Sequence, residues 1–382
     1  MDDPGLASLS NVIAQSAIVP FLMFAMSGVI SAPVAAQFEE LSCELVSSDS
    51  LDSAREEITE YAQKWLGVLA SDDADLEARV EARNMLVEPL TCRDVSVAFR
   101  IEYGRALRDR LERLVRGDEE RLAFEACQIA GRIASNETTR ALLDGLRADA
   151  PSVRCGAAAG LGEVFRSVAT GNLAVGNSTV NRMLNGLADA MESEADPLVV
   201  ENMIVAFQQT SPDPEMFVNA MEKMSEAMYD QAMRVRPDAS RPEGWDRAIF
   251  TAVHGAYTSM LDARRRGASP SEFPAIAGRL SGQAFIFAQE RMHELGADAL
   301  ADTEAGETLR ELVNAADSLL QLSHGWLQQS DDVARAIGAW DDAVDAGEPS
   351  AFDEALESII GSNGRIFRAP YSADRADFRR AG

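Results

Sequence analysis

Lysine is almost missing from this chain. Of its 35 basic residues only Lys64 and Lys223 are lysines; the rest are arginines. Positive charge as a whole is short, with 62 acidic residues and a formal net charge of −27. So negative a body repels phosphate backbones, which argues against nucleic acid as a partner. Two origins of the lysine shortage stand side by side, a saline environment and a genome with arginine-favouring codons. Histidine is scarce too: His254, His293 and His324 lie far apart, with no H-E-x-x-H and no Cys-x-x-Cys run. A zinc site needs clustered ligands at recognisable spacing, so no metal site is expected. The chain also lacks a Walker loop, a G-x-S-x-G elbow and the EF-hand order of oxygens and glycine. "SDDADLE" and "WDDAVDAGE" are acidic but read as helix starts, where carboxylates meet the positive dipole end. No cofactor and no catalytic residue is expected. Strand signals are likewise absent, since no stretch alternates β-branched and polar residues between turns.

Cysteines number four. Cys43 in "LSCELV" and Cys92 in "LTCRDV" share a short context near expected helix ends. In an oxidising compartment they form a candidate disulfide; two buried thiols are the alternative, and sequence alone does not fix a pairing. Cys127 in "FEACQIAG" and Cys155 in "SVRCGAAAG" take alanine-like places in helical patterns, as small residues at a helix–helix contact do.

What is present begins with an uncharged stretch from Pro4 to Phe38. Its core "AIVPFLMFAMSGVIS" is apolar, and Val34-Ala35-Ala36 fits the small-residue rule for export cleavage. Residues 1–36 are therefore expected to be a signal peptide, although "MDD" stands where lysine or arginine is usual. The competing reading is a retained anchor, for which the run approaches the ~20 residues of a membrane span. Pro20, Gln15 and the alanine-rich end make it a poor span, so membrane contact is expected only if the segment stays uncleaved. The expected location is outside the cytoplasm, periplasmic or extracellular, with 37–50 as a linker.

With 46% apolar and 25% charged residues, the remainder has the composition of a folded protein rather than a disordered one. Helical spacing recurs through it. Ile58, Tyr61, Ala62, Trp65 and Leu69 form one stripe; Phe99, Tyr103, Leu107, Leu111 and Leu114 form another. Asn136 and Ser350 stand where helices open, and Pro151 suits a first helical turn. The expected fold is all-α. Residues 51–210 form the first helical region, 211–360 carry longer helices that continue or cap it, and 361–382 are a tail of arginines and aromatics (Arg365, Phe367, Arg368, Tyr371, Arg375, Phe378, Arg379, Arg380). Met216, Met221, Met224, Met228 and Met233 make a stripe that reads as core packing or as a soft partner groove. "TAVHGAY" and "QLSHGWL" share His-Gly-aromatic, either lining a groove or partly buried.

"GAAAGLG", Gly156 to Gly162, is the most suggestive stretch. Its G-x-x-x-G-x-G spacing is similar to the nucleotide-binding turn of short-chain dehydrogenases. A phosphate cradle needs a buried strand before it. Here "GLRADAPSVRC" precedes it, and no Tyr-x-x-x-Lys follows. A second account fits better. Leu143-Asp-Gly-Leu146 aligns with Leu184-Asn-Gly-Leu187, each shortly after an arginine, Arg140 and Arg182. Each leads to an Asp-Pro neighbourhood and then a new helix. "RLAFEACQIAGRI" occupies the same place one unit earlier, so about 119–210 holds three copies of one inner-helix type.

Asp149, Pro151, Val153, Arg154, Ala157, Ala158, Leu161 and Gly162 match the D-x-x-x-V-R-x-x-A-A-x-x-L-G run of a HEAT helix, and the segment resembles the HEAT-repeat family (armadillo-like, in its short bacterial form). The resemblance implies a HEAT-like α-solenoid of antiparallel helix pairs with longer C-terminal helices. It implies that the Val, Ala and Leu positions pack between units, and that Asp149 and Arg154 stabilise the stack. The function expected is an exported, non-enzymatic interaction scaffold that binds a protein or peptide on the face near 119–133, 151–167 and 196–210. Two alternatives are a HEAT-like lyase that handles a chromophore and a membrane-anchored structural protein of the envelope.

Overall fold

The apolar stripes of the sequence become a two-row stack of helices. The computed structural model describes residues 40–234, 244–267, 273–327, 334–369 and 371–372. Among them α-helices and short 3-10 turns are the only regular elements, and no strand occurs. In chain order the helices are α1 (Cys43–Val46), α2 (Arg55–Leu69), α3 (Leu76–Val87), α4 (Val97–Val115), α5 (Glu120–Ile133), α6 (Thr139–Gly145), α7 (Pro151–Ala169) and α8 (Asn177–Ser193). They continue as α9 (Pro197–Gln208), α10 (Pro214–Arg234), α11 (Trp245–Arg265), α12 (Phe273–Leu295), α13 (Ala297–Leu300), α14 (Glu304–Trp326), α15 (Ile337–Ala346) and α16 (Ser350–Ile360).

One row is α2, α4, α6, α8, α10 and α12, each packed on the next; the other is α3, α5, α7, α9, α11, α14 and α15. From α2 to α12 consecutive helices alternate between rows, which makes an all-α solenoid of helix pairs. The same two rows run through residues 211–360: α10 packs on α8, α11 on α9, and α14 on α11 and α12. Hydrophobic burial holds the rows together. Phe99, Tyr103, Phe165, Phe207, Phe217, Trp245 and Phe285 are fully enclosed between them. Met221, Met224 and Met228 of the methionine stripe are core residues; the side chain of Met233 lies outside the described residues.

α7 approaches α5 and α9 closely, because glycine and alanine line both contacts. A methyl placed on Gly131 would come 2.5 Å from the Gly160 Cα, and one on Gly160 would come 2.7 Å from the Cys127 carbonyl oxygen. On the other side of α7, a methyl on Gly162 would meet the Ala206 Cα at 3.2 Å. In the first row the aligned Gly186 leaves room for the Leu143 side chain. The aligned Gly131 and Gly162 thus both face the next helix of their row, whereas the aligned Gly145 meets Cys127 and Ala157 of the other row and Gly186 does not.

Arginine ties the joints. Arg79 pairs with Glu119 and Arg83 with Glu125, joining α3 to α5. Arg132 pairs with Glu163 between α5 and α7, Arg247 with Glu201 between α11 and α9, and Arg310 with Asp341 between α14 and α15. In the first row Arg108 reaches Glu137 and Arg116 reaches Asp144. Most of these are exposed and individually worth ~0–1 kcal/mol. The planar guanidinium reads the facing carboxylate in a fixed geometry, so they fix register more than stability.

Several helix ends depart from expectation. Asn136 does not cap α6. Its Oδ1 accepts from the Gly176 amide across the loop, and α6 starts after Thr138 without a side-chain cap. Ser350 is the first residue of α16 rather than its cap. α15 begins at Ala336 with no cap of its own, and the buried Asp317 of α14 accepts from the Ala336 and Ile337 amides instead. The described part of the expected linker, from Glu40 on, is packed: Leu41, Val46 and Leu51 enter the core and cover its first helices. Burial of those three apolar residues outweighs the freedom of a tether. In the tail, Tyr371 is fully buried, packs against Gly278 of α12 and donates its hydroxyl to the Leu320 carbonyl. Arg375, Phe378, Arg379 and Arg380 lie outside the described residues, as does all of 1–39.

Candidate functional site

The second row offers the face most suited to recognition, because its helices lie side by side in one direction. Glu201 pairs with Arg247, and the Gln208 amide donates to the Thr251 carbonyl, which sets α9 and α11 parallel. On α7 the side chains left at the surface are Ser152, Cys155, Ala159, Glu163 and Arg166, at helical spacing. On α9 they include Leu198 and Val205, 60% and 41% exposed, which are unusually open for large apolar residues.

The HEAT-pattern residues lie behind this face. Val153, Ala157, Ala158, Leu161 and Gly162 are buried where α7 meets its neighbours, and Pro151 opens the helix. Arg154 clamps the joint to α9. Its guanidinium bonds both oxygens of Glu194, Nε–Oε2 2.6 Å and Nη2–Oε1 2.9 Å, and donates to the carbonyls of Ala148 and Asp149. Glu194 in turn receives the amides of Ala195 and Asp196. Asp149 contributes its carbonyl to this clamp, and its exposed carboxylate takes no part in it. The Glu194 partner escaped sequence reasoning, since it stands forty residues from Arg154 and outside the repeated motif.

Two open clefts flank that clamp. One of about 460 Å³ is lined by Leu146, Arg147, Asp189 and Ser193; the other, about 580 Å³, by Pro197, Leu198, Glu201, Gly244 and Arg247. Both touch Arg154, Glu194 and Ala195. Within them Arg154 pairs with Glu194 and Arg247 with Glu201.

Neither free thiol is poised as a nucleophile. Burial pushes the Cys127 thiol up to about 12, and burial with the nearby Asp196 and Glu194 carboxylates pushes Cys155 up to about 11. Both stay protonated near neutrality, where a thiol is a poor nucleophile. The histidines separate in role. His254 sits half-buried on the outward side of α11, its pKa lowered by burial. His293 meets Asp353 at 3.1 Å, linking α12 to α16, and His324 is buried in α14. Among the described residues no group of three or more His, Cys, Asp or Glu side chains could hold a metal ion, and no helix is long and apolar enough to cross a membrane. Cys43 and Cys92 are joined as a disulfide, with Cα atoms 5.7 Å apart, tying α1 to the turn after α3.

No family model matches the chain, and no curated protein matches it. Solved structures do. An engineered protein from a structural genomics consortium is 14% identical, covering 69% of this chain and 98% of its own at a TM-score of 0.38. A designed armadillo repeat protein is also 14% identical, covering 69% of this chain and 99% of its own at a TM-score of 0.36.

Proposed function

We propose that this protein is an exported, non-enzymatic scaffold of HEAT type that binds a protein or peptide partner on the outward face of its second row. The observation that carries this reading is the parallel set α5, α7, α9 and α11, held rigid by close helix contact and by arginine ties. Such a stack presents a broad, pre-ordered surface, which lowers the ordering penalty of binding. The exposed Leu198 and Val205 give that surface apolar anchors. The raised pKa values of the buried Cys127 and half-buried Cys155 give no support to a chromophore lyase. Arg154 serves the stack through its clamp on Glu194, to which Asp149 lends only its backbone carbonyl.

Export is supported by residues 1–36 in the form of a signal peptide and by the Cys43–Cys92 disulfide, which an oxidising compartment preserves. The test is affinity capture from the native envelope at physiological salt. A stable protein partner in stoichiometric yield is expected. A tightly co-purifying small molecule without a protein partner would turn the reading toward an enzyme. N-terminal sequencing of the mature protein should begin near Gln37, and an intact Met1 in the membrane fraction would replace export by anchoring.

A further inference from the structure

α11 carries a stripe that packing alone does not explain. Phe250, His254, Tyr257 and Leu261 recur at three- and four-residue spacing on the side away from the first row, all half-buried. The His254 ring stacks on Phe250 at 5.3 Å and lies 6.3 Å from Tyr257, so three rings form one continuous surface along the helix. Val205 of α9 stands at the level of Phe250, given the Glu201–Arg247 and Gln208–Thr251 register. α14 runs beside α11 in the same direction. Arg291 near the end of α12 pairs with Asp246 at the start of α11, and Phe273 at the start of α12 stacks on Trp326 at the end of α14.

The α14 side of this surface is acidic. Glu304, Glu307 and Glu311 follow one another at helical spacing. Their carboxylates are exposed and make no hydrogen bond or ion pair among the described residues. They belong to the most acidic part of the chain: residues 297–360 hold fifteen acidic residues against two arginines. This contrasts with the α3–α9 stretch of the row, where arginines answer the carboxylates joint by joint. Burial lowers the His254 pKa, so its ring is neutral near pH 7 and adds no repulsion to an approaching cation.

Aromatic faces beside unpaired carboxylates form a receptor for a cationic side chain. The ring quadrupole attracts the charge and the carboxylate pairs with it. We propose that the outward surface spanning α11 and α14 binds an exposed, extended segment of a partner protein that carries arginine or lysine, with its cations laid on Phe250 and Tyr257 and paired to Glu304, Glu307 and Glu311. This rests on the scaffold reading and gives it a partner chemistry. The aromatic stripe supplies what net charge alone does not, a defined place for the cation.

The probe is a fluorescein-labelled peptide of five Arg-Ala repeats, with five Glu-Ala repeats as control, read by anisotropy on the full chain at 150 mM salt. The arginine peptide binds and the glutamate peptide does not. Tyr257→Ala weakens binding by about three- to thirtyfold, the range of a lost cation–aromatic contact. Tyr257 also packs on the core, so Glu307→Gln/Glu311→Gln, at exposed positions, gives a second reading. It weakens binding at least about threefold, whereas Glu215→Gln/Glu222→Gln on α10 of the other row leaves it within about twofold by the same reasoning. Equal effects of the two charge variants, or no binding of the arginine peptide, overturns the proposal. If the peptide fails while the wild-type chain still captures a partner from the envelope, the scaffold reading stands and this inference alone falls. If neither the peptide nor any protein partner binds, both fall.

Discussion

Placing one methyl group at the α5–α7 contact probes the packing most sharply. At Gly131→Ala the new Cβ would sit 2.5 Å from the Gly160 Cα, 2.7 Å from its carbonyl oxygen and 2.9 Å from its carbonyl carbon. All three atoms are backbone, so no rotamer change relieves them; the helices must part by roughly an ångström to restore ordinary contact distances. That separation disturbs Ala126, Ala130, Ala157 and Leu161, which are buried along the same contact. Overpacking of this kind costs about 1–3 kcal/mol. Alanine recovers about 1 kcal/mol of helix propensity over glycine, leaving a net loss of about 0–2 kcal/mol. Gly186→Ala is the matched control. Its Cβ would meet only the end of the Leu143 side chain, at 2.7 Å, and that side chain can turn away. There the propensity gain of up to about 1 kcal/mol should show with little loss. The assay is urea unfolding followed by far-ultraviolet circular dichroism, comparing midpoints at unchanged slope. Gly131→Ala more stable than wild type, or no difference between the two variants, would refute a glycine-mediated approach of α5 and α7.

Further outcomes follow from single contacts. Arg154→Met leaves the Glu194 carboxylate, 4% exposed, without its cation; unfolding should show a loss of ~3 kcal/mol, and Arg154→Met/Glu194→Leu should recover part of it. Cys43→Ser should destabilise the chain by about 2–4 kcal/mol through the opened loop. Thiol titration of unfolded, unreduced wild type should find two free thiols, Cys127 and Cys155. Burial raises the Asp317 carboxyl above its ordinary 3.8, against the pull of the Ala336 and Ile337 amides. The folded state therefore holds that proton to higher pH than the unfolded chain. Its contribution is full below 3.8 and fades as pH rises through the raised folded value. The stability of wild type relative to Asp317→Asn should fall with rising pH across that window, and a rise would contradict the burial of this carboxyl.

The fold was legible where packing repeats. The aligned Gly131 and Gly162, in "FEACQIAG" and "GAAAGLG", point to helices in register because each meets the next helix of its row, while the aligned Gly145 and Gly186 meet different neighbours. Features that depend on distant partners left no local trace. Asn136 looks like a helix cap by type, yet the amide it satisfies belongs to Gly176 in another loop. Asp317 sits mid-helix and caps a helix that begins nineteen residues later. The stretch after Glu40 reads as a linker by its serines, while three apolar residues spaced along it fill the end of the core. The outward face was harder still. "TAVHGAY" and "QLSHGWL" look alike in sequence, but His254 comes to the surface and His324 to the interior, because α11 and α14 turn different sides toward the first row.

Photo-crosslinking at defined positions tests the scaffold most directly. A crosslinking residue is placed at Ala159 or Val205 on the outward second row, and at Asn185 or Lys223 on the first row, and each chain is exposed in its native envelope. The account predicts one and the same protein crosslinked from Ala159 and Val205 and not from Asn185 or Lys223. Equal crosslinking from both rows, or none from Ala159 and Val205, would contradict the claim that the second row is the binding face.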